Sequence, residues 1–175
     1  SSIFKQKLKN KFLISKVNFR LSKKNHRINT SYKALSDKLI ERRIKDPSIS
    51  DVSSLVKEIR ESKLPNYNQL GNAGSFFKNP VLKKKNFEKI TNKYSSILFY
   101  KMSENEYKLP AAWLIEKCGF KGICENQVGV HKNQSLVIIN KGGATGADIY
   151  NFSQKIKQEV KNKFDILLEE EVNII

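Results

Sequence analysis

One decapeptide, Gly71–Pro80, limits what this chain can fold into more than any other segment. It reads Gly-Asn-Ala-Gly-Ser-Phe-Phe-Lys-Asn-Pro. Its two glycines allow backbone conformations that a Cβ atom would block, so a ligand can approach the main chain closely. We interpret the run as a loop that presents the Ser75 hydroxyl to a flat or anionic ligand and then feeds a short strand through Phe76 and Phe77. A glycine turn that enters a buried strand, with no ligand, is the structural alternative.

The composition favours one globular domain, or one domain and part of a second, in a chain of 175 residues. A hydrophobic content of 39% is sufficient for a core. No apolar run approaches the ~20 residues that a membrane-spanning helix needs, and the first residues show no signal-peptide pattern. Cys118 and Cys124 form no CxxC pair, and His26 and His131 are too far apart to complete a zinc site. We therefore expect no membrane association, no metal, and a reducing cytoplasm as the location.

The net charge of +16 makes a nucleic-acid-binding module an alternative to consider. The positive charge comes from 28 lysines and only five arginines, which are spread along the whole chain. Proteins that read bases depend on arginine for bidentate contacts. The distribution is typical of a solvated lysine-rich surface, and we expect no nucleic-acid partner.

Hydrophobic periodicity predicts a mixture of helices and short strands. Helices are expected over residues 32–40, from Ser50 or Asp51 to the break at Leu64-Pro65-Asn66, over 81–94 (a polar helix or coil), from Pro110 to a stop at Gly119, and from a Thr145 cap to Phe164. Strands are expected over residues 16–21, 136–139 and 166–175, whereas 98–109 is irregular. The fold class is therefore α+β, with helices packed on small sheets, and Leu64-Pro65-Asn66 is the best domain boundary.

Several separate motifs occur in one order along the chain, from Ser2 to Val172. They are Ser2-Ile3-Phe4-Lys5, Lys63-Leu64-Pro65, Gly71–Pro80, Ala112-Trp113-Leu114-Ile115 with Lys121-Gly122, Val130-His131, Leu136–Asn140 and Leu168-Glu169-Glu170-Glu171-Val172. Their order and spacing resemble the UDP-N-acetylenolpyruvoylglucosamine reductase (MurB) family of flavoenzymes, which act in peptidoglycan precursor synthesis. Family members are about twice this long, so the resemblance covers their second half. It implies that the N-terminal flavin-binding half, with an active-site arginine, is missing from this chain.

The resemblance implies a division into three parts. Residues 1–64 would form the C-terminal part of a FAD-binding α+β domain, and residues 65–165 a small α/β substrate-binding domain with helices on a short sheet. Residues 166–175 would form a terminal strand that contributes an active-site glutamate. The implied activity is the reduction of UDP-N-acetylglucosamine enolpyruvate to UDP-N-acetylmuramate, with FAD and NADPH as cofactors. A catalytically inactive UDP-sugar-binding fragment is the alternative, because the flavin-binding half is absent from the chain.

The resemblance also assigns roles to individual residues. Ser75 corresponds to the proton donor, and Glu171 corresponds to a glutamate that acts at the reacting carbon atoms. The substrate-binding positions correspond to Tyr32, Lys63, Asn79 and Lys121, and the backbone positions near the flavin to Gly71, Asn72, Ala73 and Gly74. Glu170 occupies a position that often holds proline in the family. The alternatives are a backbone-capping role for Ser75, a surface patch for Glu169–Glu171, a core role for Tyr32 and solvated side chains for the lysines.

Overall fold

The computed structural model describes residues 2–8 and 11–174. The chain forms two compact units, of which the first ends at Ser53 and the second begins at Ser54. The helices are α1 (Lys33–Glu41), α2 (Ile49–Lys63), α3 (Lys84–Lys93), α4 (Ala111–Lys117) and α5 (Gly146–Phe164). The strands are β1 (Gly71–Ser75), β2 (Val81–Lys83), β3 (Tyr100–Ser103), β4 (Glu106–Lys108), β5 (Cys124–Glu125), β6 (Val128–Val130) and β7 (Val137–Asn140). The predicted α+β class is confirmed.

The first unit contains a short 3-10 helix at Ile3–Lys5 and the helix α1. The Oγ atom of Ser2 accepts a hydrogen bond from the backbone N–H of Phe4 and thereby caps the 3-10 helix. Leu35 and Leu39, four residues apart, are the buried side chains of α1. This spacing places both side chains on one helix face, and the helix predicted here is confirmed.

The strand predicted over Lys16–Leu21 is wrong. These residues adopt no regular secondary structure, and the side chains of Val17, Phe19 and Leu21 are 62%, 79% and 81% exposed. A strand needs a neighbouring strand to pair its backbone N–H and C=O groups. No residue within the described ranges pairs with this segment, so the alternation of apolar and polar residues alone does not produce a strand.

In the second unit, four antiparallel strands form a sheet in the order β1-β7-β6-β5. The helix α5 packs on β6 and β7. The sequence predicts an apolar stripe of Ile149, Phe152, Ile156, Val160 and Phe164, which is confirmed, because the last four are buried and Ile149 is partly buried. The predicted cap is also confirmed: the Thr145 side chain accepts from the backbone of Asp148, whose carboxylate in turn accepts from the Thr145 N–H.

A second sheet has the strand order β2-β4-β3. The sequence predicted a polar helix or coil from residue 81 and an irregular stretch over 98–109. The structure has instead the strand β2 before α3, and a β3–β4 hairpin. Aromatic packing between α3 and this sheet stabilises the hairpin, since the Phe87 ring stacks on Tyr107 with 4.1 Å between ring centroids.

Among the described helices, none has both the length and the apolar composition that crossing a membrane needs. The helix that begins at Ala111 follows Pro110, as predicted, and Gly119 has a φ of +84° just past its end. The buried strand predicted over 136–139 is confirmed as β7, with a shift of one residue.

Candidate functional site

The decapeptide Gly71–Pro80 begins with a strand and not with a loop, which corrects the prediction. Gly71–Ser75 is the edge strand β1, paired antiparallel with β7, and Phe76 and Phe77 follow it as buried residues. Glycine, asparagine and alanine are poor strand formers. The strand nevertheless forms because β7 offers an edge to which its backbone can bind.

A β-bulge precedes Ser75 and sets the direction of this residue. The register with β7 shifts between Asn72 and Ser75, and Gly74 within this stretch has a φ of +74°. The Asn72 side chain supports the bulge, since its Oδ1 accepts from the Gly74 N–H at 3.1 Å and its Nδ2 donates to the Leu70 carbonyl at 2.9 Å. A bulge bends the strand and redirects the next side chain. Ser75 ends the strand with its side chain exposed.

The C-terminal segment lies directly beside this strand end. The Glu171 N–H donates to the Phe76 carbonyl at 2.8 Å, and the Lys78 N–H donates to the Glu169 carbonyl at 2.8 Å. Phe77 and Glu170 form the isolated antiparallel bridge between these two bonds. The two predicted catalytic residues, Ser75 and Glu171, therefore belong to adjacent paired segments.

The terminal strand predicted over residues 166–175 is wrong as a continuous element. In the described part of this segment only Glu170 takes part in a bridge, and Ile175 lies outside the described residues. Ile166 and Leu168 are buried while Leu167 between them is exposed. Burial of alternate side chains anchors the segment along most of its length, without a ladder of hydrogen bonds.

Asn79 has a structural role that the sequence did not predict. Its Oδ1 accepts from the backbone N–H of Ala111 at 2.9 Å. Pro110, the N-cap residue of α4, makes no side-chain cap bond, so Asn79 caps this helix from a distant segment. The carboxamide NH₂ of Asn79 is the group that this bond leaves for a ligand.

Lys121 is paired with a carboxylate of α4. Its Nζ lies 3.0 Å from Glu116 Oε1, which also accepts from the Ser135 hydroxyl at 2.8 Å. Ser135 is buried, and the next residue, Leu136, accepts the Phe76 N–H at 2.8 Å. The ammonium of Lys121 is thus already partly neutralised before any anionic ligand arrives.

Lys63 and Tyr32 lie at element ends. Lys63 is the exposed last residue of α2, where a cation stabilises the helix C-terminus. The preceding residue, Ser62, accepts the Asn133 side-chain N–H at 3.0 Å, which ties the end of α2 to the turn before β7. Tyr32 is the N-cap residue of α1 in the first unit and is 57% exposed, so the alternative of a core tyrosine is wrong. Its predicted contact with the nucleotide stays a prediction.

The structure points to a further lysine, Lys108, that the sequence left in an irregular stretch. Lys108 ends β4, is half-buried, and pairs with Val81 on one side and Tyr100 on the other. The Leu109 N–H donates to the Pro80 carbonyl at 3.0 Å, so Lys108 lies beside the end of the decapeptide. No carboxylate within the described ranges forms an ion pair with Lys108. The sequence signal that could have revealed the position of Lys108 is the turn at Glu104-Asn105, since such a turn indicates a hairpin whose second strand ends at Lys108.

A cavity of about 380 Å³ lies elsewhere, between the β5–β6 end of the first sheet and the start of α5. Its charged side chains are Glu125, Lys155 and Asp148. Glu125 and Lys155 form an ion pair with each other, and Asp148 accepts from Thr145 in the helix cap. None of the predicted site residues lines this cavity, and we place the candidate site at the Ser75 end of the first sheet.

Comparison with known protein families tests the predicted family. The profile described as "UDP-N-acetylenolpyruvoylglucosamine reductase, C-terminal domain" matches residues 65–175. The chain belongs to this family. The resemblance based on the motifs is thereby confirmed.

Curated relatives that carry the name UDP-N-acetylenolpyruvoylglucosamine reductase match almost the whole chain. The protein of Flavobacterium johnsoniae is 49% identical over 174 residues, which is 99% of this chain and 52% of the relative. The proteins of Amoebophilus asiaticus and Pseudomonas aeruginosa are 44% and 39% identical, again over 99% of this chain, and 51% and 50% of their own lengths are covered. The chain spans about half the length of the relatives it matches.

The residues of β1 fit the flavin that the reductase family implies. β1 is an edge strand without a large apolar side chain, and among the described residues beyond its two chain neighbours no atom lies within 4 Å of the position that a Cβ atom on Gly74 would occupy. A flat ligand can therefore approach the backbone of Gly74 from the side on which a Cβ atom would lie. The positive φ of Gly74 explains why the residue is glycine.

Proposed function

We propose that this chain is the substrate-binding half of a reductase that acts on UDP-N-acetylglucosamine enolpyruvate with FAD and NADPH. The product would be UDP-N-acetylmuramate, a precursor of peptidoglycan. The observation that carries the proposal is the pairing of Phe76 with Glu171, which brings the segments of Ser75 and Glu171 together at an open strand end. Membership of the reductase family supports the same activity.

The flavin, when bound, supplies the hydride that one carbon of the enolpyruvyl double bond accepts. The role of Ser75 is to donate a proton to the adjacent carbon. A serine hydroxyl is a weak acid, so it can act only where it is held close to a developing carbanion and the charge spreads onto the substrate carboxylate. The bulge at Gly74 and the exposed strand end present the Ser75 hydroxyl in this way.

Glu171 would act at the same carbon atoms as a partner of the arginine that the N-terminal half supplies. A carboxylate beside a developing negative charge is tolerated only if it is protonated or paired with a cation. In this chain, the hydrogen bond from the Glu171 N–H to the Phe76 carbonyl fixes the main-chain position of Glu171. The arginine is expected from the N-terminal flavin-binding half. That half is the partner that the proposal requires.

The diphosphate of the substrate would bind to the cations near Asn79. Ammonium groups and amide N–H groups are the donors that phosphate oxygens prefer. Lys63, Lys121 and the NH₂ group of Asn79 are the predicted donors, and Lys108 is added because it lies beside Pro80 without a carboxylate partner in the described part of the chain. Tyr32 would cover the bound nucleotide.

The proposal keeps the domain division that the resemblance implies, with residues 1–64 in the flavin-binding domain, 65–165 in the substrate domain and 166–175 carrying Glu171. The backbone of Gly71, Asn72, Ala73 and Gly74 would face the flavin. Both cysteines are free thiols, which fits a reducing cytoplasm.

The experiment that tests the proposal joins the chain to the N-terminal half of the Flavobacterium johnsoniae relative. We expect the purified chimera to show a flavin absorbance band and to oxidise NADPH catalytically only when the enolpyruvyl substrate is present. A chimera that binds flavin and UDP-sugar but shows no turnover would contradict the proposal.

A UDP-sugar-binding fragment without activity is the second candidate function, since the proposed diphosphate donors Asn79, Lys108 and Lys121 all lie within the matched domain, residues 65–175. It predicts that the chain alone binds UDP-sugar in a calorimetric titration, and that the chimera gains no turnover. The chimera separates the two functions, because both predict UDP-sugar binding by the chain but only the reductase predicts turnover.

A further inference from the structure

A single carboxylate ties the segment that carries Glu171 to the helix α5. Glu170 Oε1 accepts from Lys157 Nζ at 2.7 Å and from Gln154 Nε2 at 3.0 Å. The side chains of Lys157 and Glu170 are only 17% and 19% exposed. We call these three residues, Glu170, Lys157 and Gln154, the Glu170 cluster.

The cluster holds the segment through a side chain, separately from the backbone pairing with the decapeptide. In the Phe77–Glu170 bridge, the two backbone hydrogen bonds are made by Glu169 and Glu171, and neither uses the N–H or C=O of Glu170. The segment is thus held by two backbone bonds in the plane of the pairing and by the Glu170 side chain, which leaves that plane. Phe77 is almost fully buried, so the partner segment is itself fixed.

We propose that the Glu170 cluster positions Glu171, by holding its main chain opposite Phe76 so that its carboxylate can reach the substrate atoms on which Ser75 acts. Glu170 is a positioning residue here and touches no substrate. The inference rests on the proposed function of Glu171. Removing Lys157 or Glu170 would leave the charge of the other residue largely buried and without its counter-charge. This costs free energy, because solvent screens a buried charge only weakly.

The charge state of Glu170 is consistent with this role. Burial raises the pKa of its carboxyl group, but the hydrogen bonds from Lys157 and Gln154 outweigh burial and hold the pKa below its usual value. The carboxylate therefore carries its charge at neutral pH and keeps both donors.

An exposed ion pair on the same segment offers a matched control. Lys78 pairs with Glu169, and both side chains are well exposed, at 40% and 71%. Exposed pairs contribute little to stability. Lys78→Met removes one cation that pairs with this segment, as Lys157→Met does, but it leaves the Glu170 cluster intact.

The test measures amide hydrogen exchange in this chain by NMR. Glu170→Ala and Lys157→Met should each speed exchange of the Glu171 amide by about tenfold, while the Phe76 amide changes by less than about twofold. Lys78→Met should change neither amide. Glu170→Gln keeps the shape and one acceptor oxygen, so it should fold even where Glu170→Ala does not and should speed Glu171 exchange by about threefold. Unchanged Glu171 exchange in these variants, or an equal change at Phe76, would overturn the inference.

The same variants in the chimera connect the exchange rates to the reaction. Glu170→Gln should slow substrate reduction by about tenfold and leave flavin reduction by NADPH unchanged. If substrate reduction stays at the parent rate while Ser75→Ala abolishes it, the positioning role is wrong and the proposed function stands. If Ser75→Ala also leaves the rate unchanged, the proposed function fails, and so does the role assigned here to Glu171.

Discussion

The backbone N–H of Glu171 donates a 2.8 Å hydrogen bond to the carbonyl of Phe76, the residue directly after Ser75. Together with the bond from the Lys78 N–H to the Glu169 carbonyl, it pairs two of the family motifs, a glycine-rich strand and an acidic terminal segment. The side chain that ends the strand is exposed, and the bulge before it redirects the chain. In the function that we propose, this pairing lets Ser75 as proton donor and the Glu171 carboxylate act on the same substrate atoms.

Ser75→Ala in the chimera should leave reduction of the flavin by NADPH nearly unchanged and slow reduction of the enolpyruvyl substrate by about 10²–10⁴-fold, the range typical of a lost general acid. Stopped-flow absorbance of the flavin measures both half-reactions. Ser96→Ala, in an exposed turn, is the control and should change neither. Equal slowing of both half-reactions by Ser75→Ala would indicate a structural role.

Gly74→Ala should destabilise the second unit by about 1–2 kcal/mol, because a residue with a Cβ atom is strained in the left-handed region. Gly74 has a φ of +74°, and beyond its chain neighbours no atom of the described residues lies within 4 Å of the position of a Cβ atom on it, so the cost comes from the backbone alone. Gly146→Ala is the matched control: it also meets nothing within 4 Å, but it begins α5, where alanine favours the helix. Urea unfolding should show a loss for the first variant only.

Asn79→Ala should cost about 0.5–2 kcal/mol of stability, as expected for a lost helix cap. Asn79→Asp keeps an oxygen that can accept from the Ala111 N–H, so most of this stability should remain. The aspartate lacks the NH₂ group and adds a negative charge, so it should bind UDP more weakly than the parent chain. Urea unfolding and calorimetric titration with UDP separate the two roles, and an equal loss of stability in both variants would show that the cap bond is unimportant.

Lys108→Met should weaken UDP binding by about tenfold or more, as the loss of a charge-assisted hydrogen bond predicts. Lys121→Met should weaken it less, since the Lys121 ammonium already lies 3.0 Å from Glu116. Lys89→Met, on the exposed side of α3, is the control. Calorimetric titration gives the three affinities; a larger effect for Lys121 than for Lys108 would reverse the assignment.

Local sequence patterns predicted some elements of this fold and missed others for physical reasons. The helix α5 was predictable because its five apolar positions repeat with helical spacing after a Thr145 cap. β1 was missed because glycine and asparagine favour turns, and only the edge of β7 makes this segment a strand. The strand predicted at Lys16–Leu21 shows the converse, since its pattern is clear and the described chain offers no partner strand.

The candidate site was predictable only in part. The roles of Ser75 and Glu171 came from the resemblance, because neither residue type at its position identifies a proton donor by itself. Their pairing through Phe76 depends on a long-range register that no local pattern encodes. For the same reason the hydrogen bond from Ala111 to Asn79 and the location of Lys108 beside Pro80 became visible only in the fold.

Acid should loosen the terminal segment through Glu170. The pKa of this carboxyl group in the folded chain lies below its usual value of 4.5, so its contribution to stability is complete above pH ~4.5 and is lost as pH falls through the folded-state pKa. The charged group that acts on it is Lys157 on α5, at 2.7 Å. The difference in unfolding free energy between the parent chain and Glu170→Gln should therefore be constant from pH 7 to 5 and shrink below pH ~4. Urea unfolding at each pH measures it, and a difference that grows as the pH falls would show that the pKa shift has the opposite sign.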